Sequence, residues 1–581
     1  LDPAAVPGLP VVLSARTDEV LHAQAARLAD HLELHPGLPL TDVAWSLAST
    51  RAHFERRAAL VPRDRDALLK DLRSLADGVA AAGTVTGAAS EEVRPVFVFP
   101  GQGAQWAGMA VELLDTSPVF AARMAECAAA LAPHTDWSLL DVVRSGEGLD
   151  RVDVVQPVLW AVMVSLAELW RSHGVQPAAV IGHSQGEIAA AAVAGILSLQ
   201  DAAKVVALRS RAITALAGLG GMVSVARAAD AVRETIAAWD GRISVAAVNG
   251  PASTVVSGDI DALDELITAC ESAGIRARKV DVDYASHSAH VEAIREELAR
   301  LLDGIEPQQG GTPLYSSLTG RLLDINDTVM DGGYWYDNLR NTVEFENATR
   351  AALTDGHTVL IEVSPHPVLA VGLQGTVEDA GADAAVLGTL RRDEGGPERF
   401  LTSLAEAHCH GVTVDWNTVF AGTGARRTDL PTYAFQRQHY WLPMPGDGAG
   451  DLGSAGLDGT EHPMLTAAVH LAENDSHVLT GRFSTRSHPW MAEHVVMGTV
   501  IVPGTAFVEM ANHAAHLSGC DTVEELTIEA PLTLADDEAR QMQVTVGAAD
   551  GTGRRTLTVH SRPAGADQDA DRSWLRHATG V

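Results

Sequence analysis

Three hydropathy rhythms follow one another along the chain. Near the start, the apolar run VVLS from Val11 predicts a strand. Behind it, EVLHAQAARLADHL spaces apolar residues three and four apart, as one face of a helix requires. The low-complexity stretch GVAAAGTVTGAAS then reads as a flexible tether. At Pro95 the character changes to VFVFPGQG, a buried strand running into a glycine-rich turn. Strand and helix patterns alternate from there to about Arg392, which predicts an α/β domain around a largely parallel sheet. Inside it, Met222–Ala226, Ile243–Val248, Ser253–Ser257 and Ile275–Val282 read as strands, with Ala229–Trp239 and Asp259–Ala273 as helices. That βαββαβ order predicts a ferredoxin-like insert over about 221–283. A helix (ERFLTSLAEAHCHG) and the extended, aromatic-rich LPTYAFQRQHYWL follow, and then a Gly/Asp-rich linker, PGDGAGDLGSAGLDGT. From His462 the rhythm shortens to alternating runs such as QMQVTVGAA and RRTLTVHSR, which predict β-structure, around one helix, GTAFVEMANHAAHL.

Charge and cysteine usage narrow the function classes. The 581 residues carry 42 Lys+Arg against 75 Asp+Glu, a net charge of −33, and so acidic a surface repels phosphate backbones. The length predicts several globular units. Cys127, Cys270, Cys409 and Cys520 form no CxxC pair. A disulfide framework or thiolate-rich zinc site is therefore not expected, and a reducing, cytoplasmic setting is. Val154 to Trp170 is the most apolar stretch, but Gln156, Ser165 and Glu168 interrupt it, so no membrane span is expected. LDPAAVPGLP has no basic segment before an apolar core, so a secretory signal is not expected either. The missing initiator Met points to a piece of a longer chain.

The strongest chemical signal is AAVIGHSQGEIAAAAVAGIL, in which an apolar strand enters Gly182-His183-Ser184-Gln185-Gly186 and a small-residue helix leaves it. This is GxSxG in its strand–turn–helix context, with the Ser184 hydroxyl at the tip and helix N–H groups behind it for a developing oxyanion. A serine nucleophile needs a base. His287, in VDYASHSAHVE, is the first choice; His290 and His183 are the alternatives, His183 pointing away from the hydroxyl and His290 exposed. Arg209 lies 25 residues after Ser184. It reads either as a solvated helix-end charge or as a planar fork for a substrate carboxylate. The Phe99–Gly103 turn could supply a second oxyanion donor from Gln102, and it fits neither GxGxxG nor a Walker pattern.

VFVFPGQGAQWAGM, GHSQGE, YASH and IEVSPHPVL together resemble the malonyl/acyl-CoA:acyl-carrier-protein transacylases, and more closely the acyltransferase domains of modular type I polyketide synthases. The resemblance implies an α/β, hydrolase-like parallel-sheet core with the ferredoxin-like insert. Residues 1–92 resemble the ketosynthase-to-acyltransferase linker domain, 93–391 the acyltransferase and 392–445 the post-acyltransferase linker that folds back over it, with a flexible linker over 446–458. It further implies that Ser184 is acylated with His287 as its base. Arg209 would clamp an extender carboxylate, and the Gln102 and Gln185 amides would form the oxyanion hole. A carbonyl near Asn338 would orient the histidine, and no acidic third member is implied. RVDVVQ (Arg151–Gln156), Gln185 and Tyr284-Ala285-Ser286-His287 match methylmalonyl-selective members. Ser286, where malonyl-selective members carry Phe, leaves room for a methyl branch.

Residues 459–581 resemble the first hot-dog half of a polyketide synthase dehydratase. In HVVMGTVIVP, His494, Gly498 and Pro503 stand at HxxxGxxxxP spacing. The resemblance makes His494 an α-proton base whose aspartate partner belongs to a second half, so this tail is expected to be silent alone. The implied partners are methylmalonyl-CoA, an acyl carrier protein bringing its phosphopantetheine thiol, and the ketosynthase and remaining domains of a homodimeric parent. No metal or bound cofactor is implied for the transfer. A malonyl-selective acyltransferase, a serine hydrolase and a non-catalytic scaffold fragment are the rival readings.

Overall fold

The computed structural model describes residues 8–79, 81, 83–89, 93–324, 326–436, 452–535, 538–565 and 573–581. Contacts divide the chain into two units, Leu1–Arg437 and Gln438–Val581.

The first unit opens on an antiparallel sheet of Val11–Ala15, Arg56–Leu60 and Thr84–Ala88. The helix Asp18–Leu34 starts where the Thr17 hydroxyl accepts from the Val20 amide, and Asp64 caps Arg65–Ala76 in the same way. The stretch expected to be a tether is in part a strand, since Thr84–Ala88 pairs with Arg56–Leu60 along its length. Its small residues have a packing reason. A Cβ on Gly87 would lie 2.6 Å from the Cys409 carbonyl oxygen, so the helix Pro397–Cys409 approaches this strand too closely for a side chain.

The central sheet runs in the order Arg321–Leu322, Leu314–Ser316, Ala179–Gly182, Pro95–Phe99, Val359–Glu362, Ala385–Gly388. Its strands are parallel apart from the antiparallel edge pair. Pro95–Phe99 and Ala179–Gly182 are buried throughout, as strands covered on both faces must be. The loops leaving their C-terminal ends carry the site. Val152–Ser172 forms one helix, long and apolar enough by length and composition to cross a membrane despite the polar residues noted above. Nearly all of Val154–Trp170 is buried, so it serves as a core helix here.

The insert forms an antiparallel sheet in the order Ile243–Gly250, Ser253–Gly258, Gly221–Val225, Ala277–Lys279, the ferredoxin-like arrangement. Its last strand is shorter than expected. Regular pairing ends at Lys279, the Val280 amide still donates to the Met222 carbonyl at 2.9 Å, and Val280 and Val282 are wall residues of a cavity at Ser184. The segment ending at 436 returns over the N-terminal sheet. Arg51 donates to the Leu430 and Pro431 carbonyls at 3.1 Å, and the Arg16 amide donates to the Tyr433 hydroxyl at 3.1 Å. The rest of LPTYAFQRQHYWL and residues 446–451 of the flexible linker lie outside the described residues.

In the second unit the order is Asp458–Gly459, Ala467–Leu471, Ser476–Phe483, Arg540–Val546, Leu557–Pro563, Leu575–Gly580, Leu526–Ile528. Asp458 therefore already pairs in a strand that the linker was expected to precede. Alternate residues of Arg540–Val546 face inward and, with Phe507, Met510 and Ala514 of the helix Gly504–Leu517, build a separate core. This is a hot-dog half.

Candidate active site

Ala179–Gly182 passes into the helix Gly186–Ala194 through a turn that only glycine permits. A Cβ on Gly182 would lie 2.1 Å from the Glu187 Cα, and one on Gly186 would lie 2.2 Å from the Phe99 carbonyl oxygen. Between them Ser184 takes φ 52°, and across the cavity His287 takes φ 58°. A side chain in that left-handed region costs about 1–3 kcal/mol, so the fold holds both residues in strained conformations.

The Ser184 Oγ lies 2.8 Å from the His287 Nε2. His287 Nδ1 lies 2.8 Å from the Asn341 carbonyl oxygen, which can only accept. The proton therefore sits on Nδ1, and Nε2 is left to accept from the serine hydroxyl. The carbonyl expected near Asn338 is thus chiefly that of Asn341, three residues further on in the same segment. The Asn338 side chain does something else. Its Oδ1 accepts from Arg209 Nη2 at 3.2 Å, and its Nδ2 donates to Glu187 Oε2 at 3.2 Å.

A cavity of about 190 Å³ opens at the pair. Its lining includes Gln102, Gln156, Gln185, Tyr284 and Ser286, all named from the sequence, together with Met222. Tyr284 donates to Gln102 Oε1 at 3.1 Å and accepts from Gln156 Nε2 at 3.5 Å. Ser286 donates to the Met222 Sδ at 3.8 Å. The Gln185 side chain is buried with neither amide atom hydrogen-bonded to protein. Its backbone caps the helix Gly186–Ala194, an end where N–H groups lack helical partners.

Arg209 sits in the helix Leu199–Ile213 and is 1% exposed, which removes the solvated reading. Its Nε and Nη1 have no protein partner. Burial lowers the guanidinium to about 10, against the favourable pull of Tyr284 and Glu187. Burial likewise pushes His287 down to about 3, and the charge of Arg209 pushes the same way. His287 is thus neutral and ready to accept a proton across the ordinary pH range.

The rival histidines are engaged elsewhere. His183 Nε2 lies 2.7 Å from Asn249 Oδ1, and His290 Nε2 lies 2.9 Å from Asp259 Oδ1. His290 is half-buried rather than exposed, because Asp259 draws it back onto the insert. His494 lies in the second unit at the stem of a hairpin, Val495–Val496 with Thr499–Ile501. It is exposed, with Nδ1 2.7 Å from the Ile501 carbonyl oxygen. Sequence reasoning missed Asn249, Asn341 and the Glu187 contacts. Only Glu187 left a signal, as one acid at the start of a helix otherwise made of small and apolar residues.

A strained serine on a strand–helix elbow, a neutral histidine oriented by a carbonyl and a small polar cavity define a serine acyl-transfer site on an α/β fold. Comparison with known proteins agrees with that class. Residues 96–414 match the acyl transferase domain family, 462–562 the polyketide synthase dehydratase domain, and 10–72 the family described as CurL-like, PKS C-terminal. The polyketide synthase GfsB of Streptomyces halstedii is 55% identical over 582 residues, 98% of this chain and 10% of that protein. The erythronolide synthase EryA2 of Saccharopolyspora erythraea is 50% identical over 576 residues, 99% of this chain and 16% of that protein. The solved acyltransferase domain from module 8 of the salinomycin polyketide synthase is 58% identical. It superposes with a TM-score of 0.69 over 72% of this chain and 99% of that one. The chain belongs to the modular type I polyketide synthases, as an acyltransferase domain followed by the N-terminal part of a dehydratase domain. It spans between about a tenth and a sixth of the length of these two curated relatives.

Proposed function

We propose that this domain loads a methylmalonyl extender from CoA onto Ser184 and passes it to the phosphopantetheine thiol of an acyl carrier protein. The observation that carries the reading is the Ser184–His287–Asn341 relay opening on a small cavity, with a buried arginine behind its lining whose charge reaches His287 and whose Nε and Nη1 have no protein partner. The extender carboxylate docks on Arg209 Nε and Nη1, a charge-assisted contact. His287 Nε2 takes the hydroxyl proton as Oγ attacks the thioester carbonyl, and the Gln102 and Gln185 amides hold the oxyanion. The C–S bond then breaks, and the imidazolium returns the proton to the departing CoA sulfur. In the second half His287 takes the proton of the carrier thiol, sulfur attacks the acyl-serine, and Oγ leaves with that proton. No step uses a cofactor bound to this chain.

Methylmalonyl selectivity rests on Ser286, a small side chain in the cavity wall beside the adaptable Met222. A single methyl group decides about 1–3 kcal/mol, so the preference is one of degree. In the dehydratase part, His494 is exposed, and its proposed role is that of an α-proton base working with an acid from a second hot-dog half.

Intact-protein mass spectrometry after brief incubation with malonyl-, methylmalonyl-, ethylmalonyl- and acetyl-CoA tests the reading. A methylmalonyl adduct should dominate and be absent from Ser184→Ala. An equal acetyl adduct would remove Arg209 from the substrate site, and a dominant malonyl adduct would replace the extender.

A further inference from the structure

The acid in GHSQGE is buried, and the relay just described gives it no part. Glu187 is 0% exposed. Its Oε2 accepts from the Ser317 amide at 3.2 Å, the Ser317 hydroxyl at 2.7 Å and Asn338 Nδ2 at 3.2 Å, and its Oε1 accepts from the Tyr334 hydroxyl. Ser317 follows the central-sheet strand Leu314–Ser316, while Tyr334 and Asn338 lie one turn apart on the helix Gly332–Arg340, whose start Asp331 caps. These donors occupy the carboxylate. Arg209, close enough to feel its charge, makes no ion pair with it. The link between them is the Asn338 amide, which has one possible orientation: its nitrogen must face the carboxylate oxygen, so its oxygen faces the guanidinium.

That arrangement has a chemical consequence. A direct carboxylate–guanidinium pair would satisfy Arg209 within the protein, and a substrate carboxylate would then have to displace a buried partner. With Asn338 between them, one nitrogen is anchored and two donors stay open.

We infer that Glu187 is a positioning residue. Through Asn338, and held by Ser317 and Tyr334, it fixes Arg209 with Nε and Nη1 free, and so sets the preference for acyl-CoA substrates that carry a free carboxylate. This rests on the proposed role of Arg209 as the carboxylate clamp.

Loading kinetics with methylmalonyl-CoA and with propionyl-CoA, which lacks the carboxylate, test it on the whole chain. Glu187→Gln should raise KM for methylmalonyl-CoA about tenfold with kcat changed far less, and should lower the methylmalonyl-to-propionyl preference by a similar factor. Equal losses with both substrates would overturn the inference, because a merely structural role predicts that. Arg209→Ala, run in parallel, separates the two claims. If it leaves the preference intact, the clamp itself fails. If it collapses the preference while Glu187→Gln does not, only the role of Glu187 fails. Should Glu187→Gln not fold by circular dichroism, Tyr334→Phe, which takes away the hydroxyl that Glu187 and Ser316 share, and Asn338→Leu, which takes away the bridge from Glu187 to Arg209, carry the same comparison. An unchanged preference in both would overturn the inference.

Discussion

Two serine–histidine pairs in this chain share their hydrogen-bond geometry and differ in nearly everything else. Ser184 Oγ and His287 Nε2 lie 2.8 Å apart, and so do Ser561 Oγ and His577 Nε2 in the dehydratase part. Each histidine turns Nδ1 toward a backbone carbonyl, Asn341 at 2.8 Å and Ala530 at 3.1 Å. Yet Ser561 lies within the strand Leu557–Pro563, where the register against Leu575–Gly580 shifts past His577, and it is 1% exposed, as is His577. Ser184 lies on a strained turn at a helix N-terminus and faces a cavity. A hydrogen-bonded serine and histidine therefore do not make a nucleophile. Ser184, unlike Ser561, has a cavity in front of it, a helix N-terminus behind it and a backbone that lifts its hydroxyl clear of the strand.

The largest effect that tests this contrast is on acylation. Ser184→Ala should abolish the covalent adduct with any acyl-CoA, while Ser561→Ala should leave the loading rate of the same chain unchanged. Stopped-flow loading or adduct mass reads both. Residual adduct in Ser184→Ala, or loss of loading in Ser561→Ala, would break the comparison.

A smaller effect concerns pH. His287 is held at about 3 by burial first and then by Arg209. A base whose folded value is depressed stays neutral as pH falls, so kcat/KM for loading should show no break at the ordinary histidine value near 6.5. Docking a carboxylate on Arg209 cancels one of the lowering influences. The acid limb of kcat should then lie at higher pH than that of kcat/KM. A kcat/KM that falls through the ordinary histidine range would mean a solvated His287 in the free enzyme.

The contrast also explains what was legible in the sequence. The elbow was readable because Gly182 and Gly186 meet backbone atoms at distances no other residue tolerates. The insert was readable because each strand and helix keeps its own period. Asn341 was not, since the group that orients His287 is a main-chain carbonyl and any residue offers one. Thr84–Ala88 was hidden for a related reason: close packing selected the small residues that elsewhere mark a loose tether. Ser561 and His577, sixteen residues apart, carry no motif, and nothing in the chain announces that they meet.

The smallest effect is on stability and bears on the second pair alone. His577 Nδ1 faces a carbonyl, so Nε2 accepts the Ser561 proton, and burial lowers the histidine below its usual range. Ser561→Ala leaves that nitrogen without a partner inside a packed sheet, which costs about 1–3 kcal/mol. Hydrogen exchange in the strand Leu557–Pro563 of the full chain should quicken accordingly, while the helix Gly186–Ala194 keeps its protection. The histidine adds a pH dependence of known sign. Its folded value lies below its unfolded one, so its contribution is intact above about pH 6.5 and is lost as pH falls from there toward the folded value. Because the unpaired nitrogen is the cause of the loss, Ser561→Thr, which keeps a hydroxyl at that position and leaves the His577 bond to the Ala530 carbonyl in place, should retain most of what Ser561→Ala loses. A threonine variant as labile as the alanine one would mean that the hydroxyl acts through packing instead, and the pair would then owe its geometry to the sheet rather than to the hydrogen bond.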